Sequence, residues 1–290
     1  MQPELERLHV RLQPTLFRDA VLRAQDAFGV PWEAEMITTL AALYPTDARL
    51  SNAVKGYEAF CVEIMRLQMD FDRTGEYAPQ TYEEASAAVY GNTRYMSDCY
   101  LPGLLMAWYL WPHHYRQIQF FRQAFVPQMA RASAERFYDV ATGTGIYSRI
   151  ALQGARTAVG VGFDISPASC TFTRNHIGAF GLRERYRSVC SNVMEDTPEP
   201  VDWLVCVELA EHLESPMVLL RTLRKMLRPG GRAFIATALN APNSDHIWLY
   251  KSADEVLAQL RTAEFSVEQF QVNAARPGPV PPEVAAFIVT

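Results

Sequence analysis

Several absences narrow the field before any motif is read. No stretch of the 290 residues stays apolar long enough to cross a bilayer, and the longest apolar region, near residues 101–110, is short and interrupted. The N-terminus, MQPELERLHVRLQP, has no apolar leader core, so a cytoplasmic protein with no membrane partner is expected. Basic excess is missing too: 27 Lys and Arg stand against 32 Asp and Glu, a net charge of −5. Nucleic acid binders usually present a basic surface, so no nucleic acid partner is expected and a small molecule suits the chain better. Cysteine is sparse and unpatterned. Cys61, Cys99, Cys170, Cys190 and Cys206 are odd in number and form no CxxC pair, which points to free thiols rather than a disulfide framework or a thiolate zinc site. There is no internal repeat and no low-complexity tract.

What is present is ample core material, 49% hydrophobic residues, in two halves that read differently. Residues 1–131 show helical periodicity and form a helical cap or substrate region; residues 132–290 form a second unit. Leu5, Leu8, Leu12, Leu16 and Val21 suit one face of a first helix. Residues 32–44 form a second, closed by Pro45, and residues 51–69 a third. RTGEYAPQT is a loop. Thr81 and Glu84 make a capping-box pattern at the head of a helix over residues 82–90. Pro102 opens another helix to about Trp111, Pro112 interrupts it, and a last one covers residues 114–129.

From Phe137 strands and helices alternate. FYDV, TAVGVGFDIS, YRSVCSN, VDWLVCVEL, RAFIATAL, FSVEQFQV and VAAFIVT read as strands, with helices over residues 146–153, 167–180, 216–227 and 252–263. RPGG stops the third of these helices. The fold class is therefore α/β, a mainly parallel sheet with helices on both faces.

The first strand runs into Asp139-Val140-Ala141-Thr142-Gly143-Thr144-Gly145, a glycine turn that lets bare backbone approach a ligand at the strand ends. Asp164 ends the second strand, placed to accept both hydroxyls of a ribose or else to cap the helix at Ser166-Pro167. DVATGTG, VGFDIS, VDWLVCVELAEHLESP and LRKMLRPGGRAFIAT, in that order, resemble the motif set of the class I, Rossmann-like methyltransferases over residues 137–290. The resemblance implies a seven-stranded sheet with an antiparallel final strand and S-adenosylmethionine as methyl donor. It implies that Asp139 and the Gly143/Gly145 turn hold the methionine part of the cofactor, with Ala141, Thr142, Ile165 and Glu208 as further cofactor contacts. Asp164 would bind ribose, and Asn192 and Val193 would flank adenine. Ala141 departs from the pattern, because a glycine usually stands there and alanine tolerates positive φ poorly.

A sulfonium is already a strong donor, so the protein mainly aligns the partners, with a base needed for a hydroxyl, amide or activated carbon. Glu208-Leu-Ala-Glu211-His212 follows the fourth strand and offers three readings. His212 can be a base oriented by Glu208 or Glu211; the three can hold a divalent cation, as similar Glu-x-x-Glu-His segments of ubiquinone-pathway O-methyltransferases imply; or the histidine is a fold residue. Metal is not favoured. Tyr95, Trp108, His113, His114 and Tyr115 from the aromatic segment, with Asn240 and His246 after the fifth strand, are the candidate substrate contacts. Met65, Met69, Met96 and Met106 read as core filler. The expected activity is methyl transfer to O, N or C of a small metabolite, against a non-catalytic binding protein of the same fold; a homodimer remains open.

Overall fold

The computed structural model describes residues 3–78 and 81–290. Pro79 and Gln80 of the expected loop, like Met1 and Gln2, lie outside the described residues.

The chain begins with α1 (Pro3–Leu12), α2 (Ala20–Leu43) and α3 (Asp47–Thr74). Leu5, Leu8 and Leu12 bury completely, but Leu16 does not continue that face: α1 has ended, and Leu16 is 79% exposed in the following turn. Val21 is buried on α2 instead. α2 starts earlier than its periodicity suggested, because Gly29 (φ 63) bends it just before Pro31 and joins two helical pieces. The Thr81–Glu84 capping box forms as read and opens α4 (Tyr82–Ala88). Beyond it, α5 (Thr93–Tyr95), a π turn (Met96–Tyr100) and α6 (Leu101–Leu110) run on without a break, so Pro102 lies inside a continuing helix. Trp111 takes an extended conformation and turns the chain into α7 (Pro112–Phe120), a second π turn (Phe121–Phe125) and α8 (Val126–Arg131).

The rest is a wound sheet: β1 (Arg136–Val140), α9 (Ile146–Gly154), β2 (Val159–Asp164), α10 (Pro167–Ala179), β3 (Tyr186–Cys190), β4 (Val201–Val207), α11 (Pro216–Lys225), β5 (Leu227–Leu239), α12 (Ala253–Thr262), β6 (Val267–Ala274) and β7 (Glu283–Val289). RPGG does not lie in a turn before β5 but within it, as an irregular start where the pairing with β4 shifts register between Val201 and Trp203. The strand order is β3-β2-β1-β4-β5-β7-β6, and β7 is antiparallel to both neighbours. The order reverses between β1 and β4, which opens a crevice at the carboxyl ends of those strands.

Two buried clusters flank the sheet. On one face Leu204, Ile235 and Phe287 pack against Leu219, Leu223 and Leu260 of α11 and α12. On the other, Phe137, Trp203, Phe234 and Ile288 join a cluster that includes Phe121 and Phe125 and extends to Leu5. Phe125 meets Trp203 edge-on at 5.5 Å between ring centres, and Phe121 meets Phe234 at 4.9 Å. The N-terminal helices therefore complete this face of the sheet and also roof its crevice. Among the described residues, no helix is long and apolar enough to cross a membrane.

Candidate active site

Three parallel strands end in the same local conformation. The first residue beyond β1, Ala141 (φ 60), beyond β4, Glu208 (φ 53), and beyond β5, Asn240 (φ 50), all adopt left-handed backbone without being glycine. Each such residue costs about 1–2 kcal/mol relative to ordinary backbone, and strain of this kind concentrates at functional edges. A cavity of about 540 Å³ opens there, walled by the strand ends below and by α3, α6 and the head of α7 above.

The β1 turn supplies its floor. Gly143 (φ 49) donates its N–H to Asp164 Oδ2 at 3.0 Å, while Ser166 N–H donates to Oδ1 at 2.9 Å. The carboxylate is thus locked by the turn and by the head of α10 at once. The cap of α10 is Ser166, whose Oγ accepts from Ser169 N–H at 3.3 Å, so Asp164 is not the helix cap; it braces the turn before the helix and lines the cavity. Burial raises its pKa, opposed by these hydrogen bonds. Asp139, also lining, accepts from Ser148 Oγ at 2.6 Å, and burial pushes its pKa up to about 7. Gly145 (φ 72) has a different job: a Cβ there would sit 2.7 Å from Thr173, so the glycine lets α10 close on the turn. At the far end Asn192 uses Oδ1 to accept from Met194 N–H at 3.0 Å, and a carbonyl oxygen retains a second lone pair for a ligand. Val193 and Ile165 line the same end.

Glu208 lines the cavity with its Oε1 unpartnered and buried. Burial and the neighbouring Glu211 raise its pKa strongly. A buried carboxyl without a partner favours a bound cation such as an ammonium. Glu211 is arranged otherwise. It is wholly buried, accepts from Thr237 Oγ1 at 2.7 Å and from Ala238 N–H at 3.0 Å, and its own carbonyl accepts from Ile247 and Trp248. It is a strut between β5 and the loop after it, off the cavity surface.

His212 faces the cavity and pairs with a residue that spacing alone did not single out. Its Nδ1 lies 3.2 Å from Oδ2 of Asp245 and 2.8 Å from Tyr90 Oη. Tyr90 and Tyr100 each donate a hydroxyl to the same Oδ2 at 2.8 Å. Burial alone would lower the His212 pKa, but Asp245 outweighs it and, with Glu211, holds it up at about 9. Burial likewise disfavours the Asp245 charge, and His212 with His246 overrides it, so Asp245 stays ionised far into acid. Neither Glu208 nor Glu211 orients the imidazole. The orienting carboxylate lies 33 positions along the chain, in the loop after β5, and only the folded crevice reveals it. Tyr90 and Tyr100 were visible merely as part of an aromatic-rich segment.

Of the expected substrate contacts, Trp108, His113, His114 and His246 line the cavity. Tyr95, Tyr115 and Asn240 are not among its lining residues. Tyr95 donates to Glu63 at 2.6 Å, Tyr115 is buried against Glu35 at 3.1 Å, and the Asn240 amide donates to Lys251 O at 3.0 Å. Met65, Met69 and Met96 do line the cavity, so three of the four methionines read as filler are wall residues; Met106 is core. Glu211, His212 and His246 offer ligand atoms within 4.8 Å of one another. Both Glu211 oxygens are already engaged, His212 Nδ1 serves Asp245, and His246 Nδ1 lies 2.6 Å from Ala241 O.

Comparison with known proteins agrees with this architecture. A family model described as a methyltransferase domain matches residues 110–271. The ubiquinone biosynthesis O-methyltransferase of Pseudomonas putida is 26% identical over 151 residues, which are 51% of this chain and 63% of the relative. That of Aliivibrio fischeri is 31% identical over 125 residues, 42% of this chain and 52% of the relative. The chain thus spans less than two thirds of the length of these curated relatives. Among solved structures, the mitomycin 7-O-methyltransferase MmcR superposes over 98% of this chain and 93% of its own, with a TM-score of 0.59 and 13% identity. Human N-acetylserotonin methyltransferase superposes over 82% of this chain and 70% of its own, with a TM-score of 0.56 and 14% identity. Both likenesses extend into the N-terminal helices, and at such identities they concern fold. With the family model matching more than half of its residues, this chain belongs to the methyltransferase domain family.

Proposed function

We propose that the chain transfers a methyl group from S-adenosylmethionine to an oxygen of a small organic acceptor, with His212 as general base and Asp245 as the residue that orients it. The observation that carries this is the His212–Asp245 pair on the wall of a cavity whose floor is the β1 turn and Asp164. Bound S-adenosylmethionine would supply a methyl carbon made electrophilic by its sulfonium sulfur.

The residues present fit that group. Glu208 and Asp139 would offer carboxyls to its ammonium end, the Gly143 turn would allow close backbone approach, Asp164 would take the ribose, and Asn192 with Val193 would flank adenine. An oxygen acceptor is favoured because a hydroxyl must lose its proton as it attacks, whereas a neutral amine can attack first. With Tyr90 Oη donating to Asp245, His212 Nδ1–H faces Tyr90 Oη at 2.8 Å and Asp245 Oδ2 at 3.2 Å, which leaves Nε2 to receive the acceptor proton, and the Asp245 charge stabilises the imidazolium formed. Nothing in this sequence of steps calls on a metal, and the reading carries a cytoplasmic setting and a small-molecule substrate with it.

The test is to incubate the purified chain with methyl-labelled S-adenosylmethionine and a panel of phenols, and to follow labelled ether by mass spectrometry. His212→Gln is expected to lower kcat about a hundredfold or more with S-adenosylhomocysteine affinity retained. Absence of S-adenosylhomocysteine binding at millimolar ligand would overturn the cofactor reading, and a near-normal rate in the variant would overturn the base. A chelator is expected to leave the rate unchanged.

A further inference from the structure

His113 and His114 are adjacent, lie in the first turn of α7, and both line the cavity. Trp111 is extended (ψ 115) and Pro112 starts the helix afresh, so the chain turns into the site and places two consecutive imidazoles on one wall. Their ring centres are 4.3 Å apart; Trp111 stacks on His113 at 5.7 Å, and Trp108 meets His114 edge-on at 4.7 Å. His113 is 9% exposed and His114 8%. In both, Nδ1 has no hydrogen-bond partner although it is buried. Two unsatisfied ring nitrogens in a well-packed aromatic corner are costly for folding alone, and a ligand that bonds to them removes the deficit.

The corner's charge state limits what that ligand is. Burial, with Arg116 nearby, lowers the His113 pKa to about 3, and burial, with His113 and His246 nearby, lowers that of His114 well below the ordinary histidine range, so both rings are neutral near pH 7. Asp72, Asp139, Asp164, Glu208 and Glu283 all line the same cavity. Arg276, also lining, is committed to Asp72 at 2.7 Å. Among the described residues that line the cavity, Arg276 is engaged by Asp72 and His212 by Asp245, so an anionic group placed at the histidine corner would sit mainly among carboxylates.

We propose that His113 and His114 are the recognition end of the acceptor pocket, where neutral imidazole hydrogen bonds select an uncharged aromatic acceptor carrying a hydroxyl or carbonyl and reject its carboxylate counterpart. The proposal rests on the methyl-transfer reading above and adds a specificity rule to it. Neither residue touches the proton transferred at His212.

Calorimetry on the intact chain saturated with S-adenosylhomocysteine tests it, with two matched pairs of probes: methyl protocatechuate against protocatechuate, and methyl gallate against gallate. Each ester is expected to bind at least about tenfold more tightly than its acid. His113→Leu and His114→Leu are each expected to weaken ester binding by about tenfold with S-adenosylhomocysteine affinity unchanged. Asn in place of either histidine, which returns a neutral polar group near the Nδ1 position, is expected to restore much of it. His114→Lys is expected to reverse the preference toward the acids. Equal binding of ester and acid, or Leu variants that bind esters as the native chain does, overturns the proposal, as does failure of every probe to bind the loaded protein. Loss of S-adenosylhomocysteine binding in the native chain would instead count against the methyl-transfer reading itself. If a Leu variant fails to fold, the Asn and Lys variants and the native ester-to-acid ratio still decide.

Discussion

Ala141 sits at φ 60 immediately after β1, a conformation in which a Cβ crowds the following carbonyl. Ala141→Gly removes that crowding and adds chain entropy to the unfolded state, so the net effect is expected to be neutral to stabilising by up to about 1 kcal/mol. Thermal unfolding measures it, and clear destabilisation would show that the methyl group packs usefully there. Asp164→Ala is expected to weaken S-adenosylhomocysteine binding by about 1–3 kcal/mol, seen by calorimetry. Part of that loss arises indirectly, because Gly143 and Ser166 lose the carboxylate their N–H groups bond to. Asp245→Asn leaves a neutral group facing two phenols and the His212 ring. The variant is expected to lose at least about a hundredfold in kcat, and its pH–rate profile, which should climb through about 9 in the native chain as His212 loses its proton, should shift downward in pH. A profile that keeps its native midpoint would separate Asp245 from the base.

Between elements, one buried ionic network ties the N-terminal helices to the sheet. Glu35 on α2 receives Arg149 of α9 at 2.8 Å and Arg122, in the π turn before α8, at 2.7 Å; Tyr115 donates to it as well. Burial disfavours the Glu35 charge, but Arg122 and Arg149 prevail and its pKa is lowered. Arg149, only 3% exposed, also donates to Tyr109 Oη. Removing one partner leaves a buried guanidinium short of a counter-charge, so Glu35→Gln is expected to destabilise the fold by about 3 kcal/mol in denaturant titration. A change below about 1 kcal/mol would mean that the phenols and Gln153 compensate. This network also explains why Tyr115 is absent from the cavity wall: its hydroxyl is drawn toward Glu35, on the other side of α7.

At the scale of the whole molecule, Asp245 in the loop after β5 meets Tyr90 and Tyr100 from the N-terminal half, so the dyad joins the roof to the sheet. Its pH dependence has two edges. The His212 pKa is raised in the folded state, so that contribution is complete below the ordinary histidine range and is lost as pH climbs through about 9. The Asp245 pKa is lowered, so its contribution is present above the ordinary aspartate range and is lost as pH falls into strong acid. The stability gap between the native chain and Asp245→Asn should therefore be widest near neutral pH and should narrow toward pH 10. A boundary at 131/132 separates the helices from the wound sheet by element type, while Phe121 and Phe125 pack on Trp203 and Phe234 across it. A fragment of residues 132–290 is accordingly expected to express insolubly or to bind a hydrophobic dye, since one sheet face would be bare.

Much of the fold was legible from local pattern because its signals are local: strand and helix periodicity, a glycine turn after β1, a capping box at Thr81, an aspartate at the end of β2. Each depends on residues within a turn or two of one another, so the sequence determines the order of elements and the crevice with its glycine turn. Helix boundaries were less legible, since a π turn and the Gly29 bend let helices run through prolines that usually end them. That Asp245 is the acid partner of His212 was not legible: the sequence placed it only in the loop after the fifth strand, at an edge of the crevice. Glu208 and Glu211 are its neighbours in the chain, but the left-handed Glu208 turns the backbone, and Glu211 is drawn to Thr237 and Ala238. Asp245 reaches the imidazole because β4 and β5 lie side by side and end at the same edge, a proximity set by sheet packing rather than by spacing along the chain.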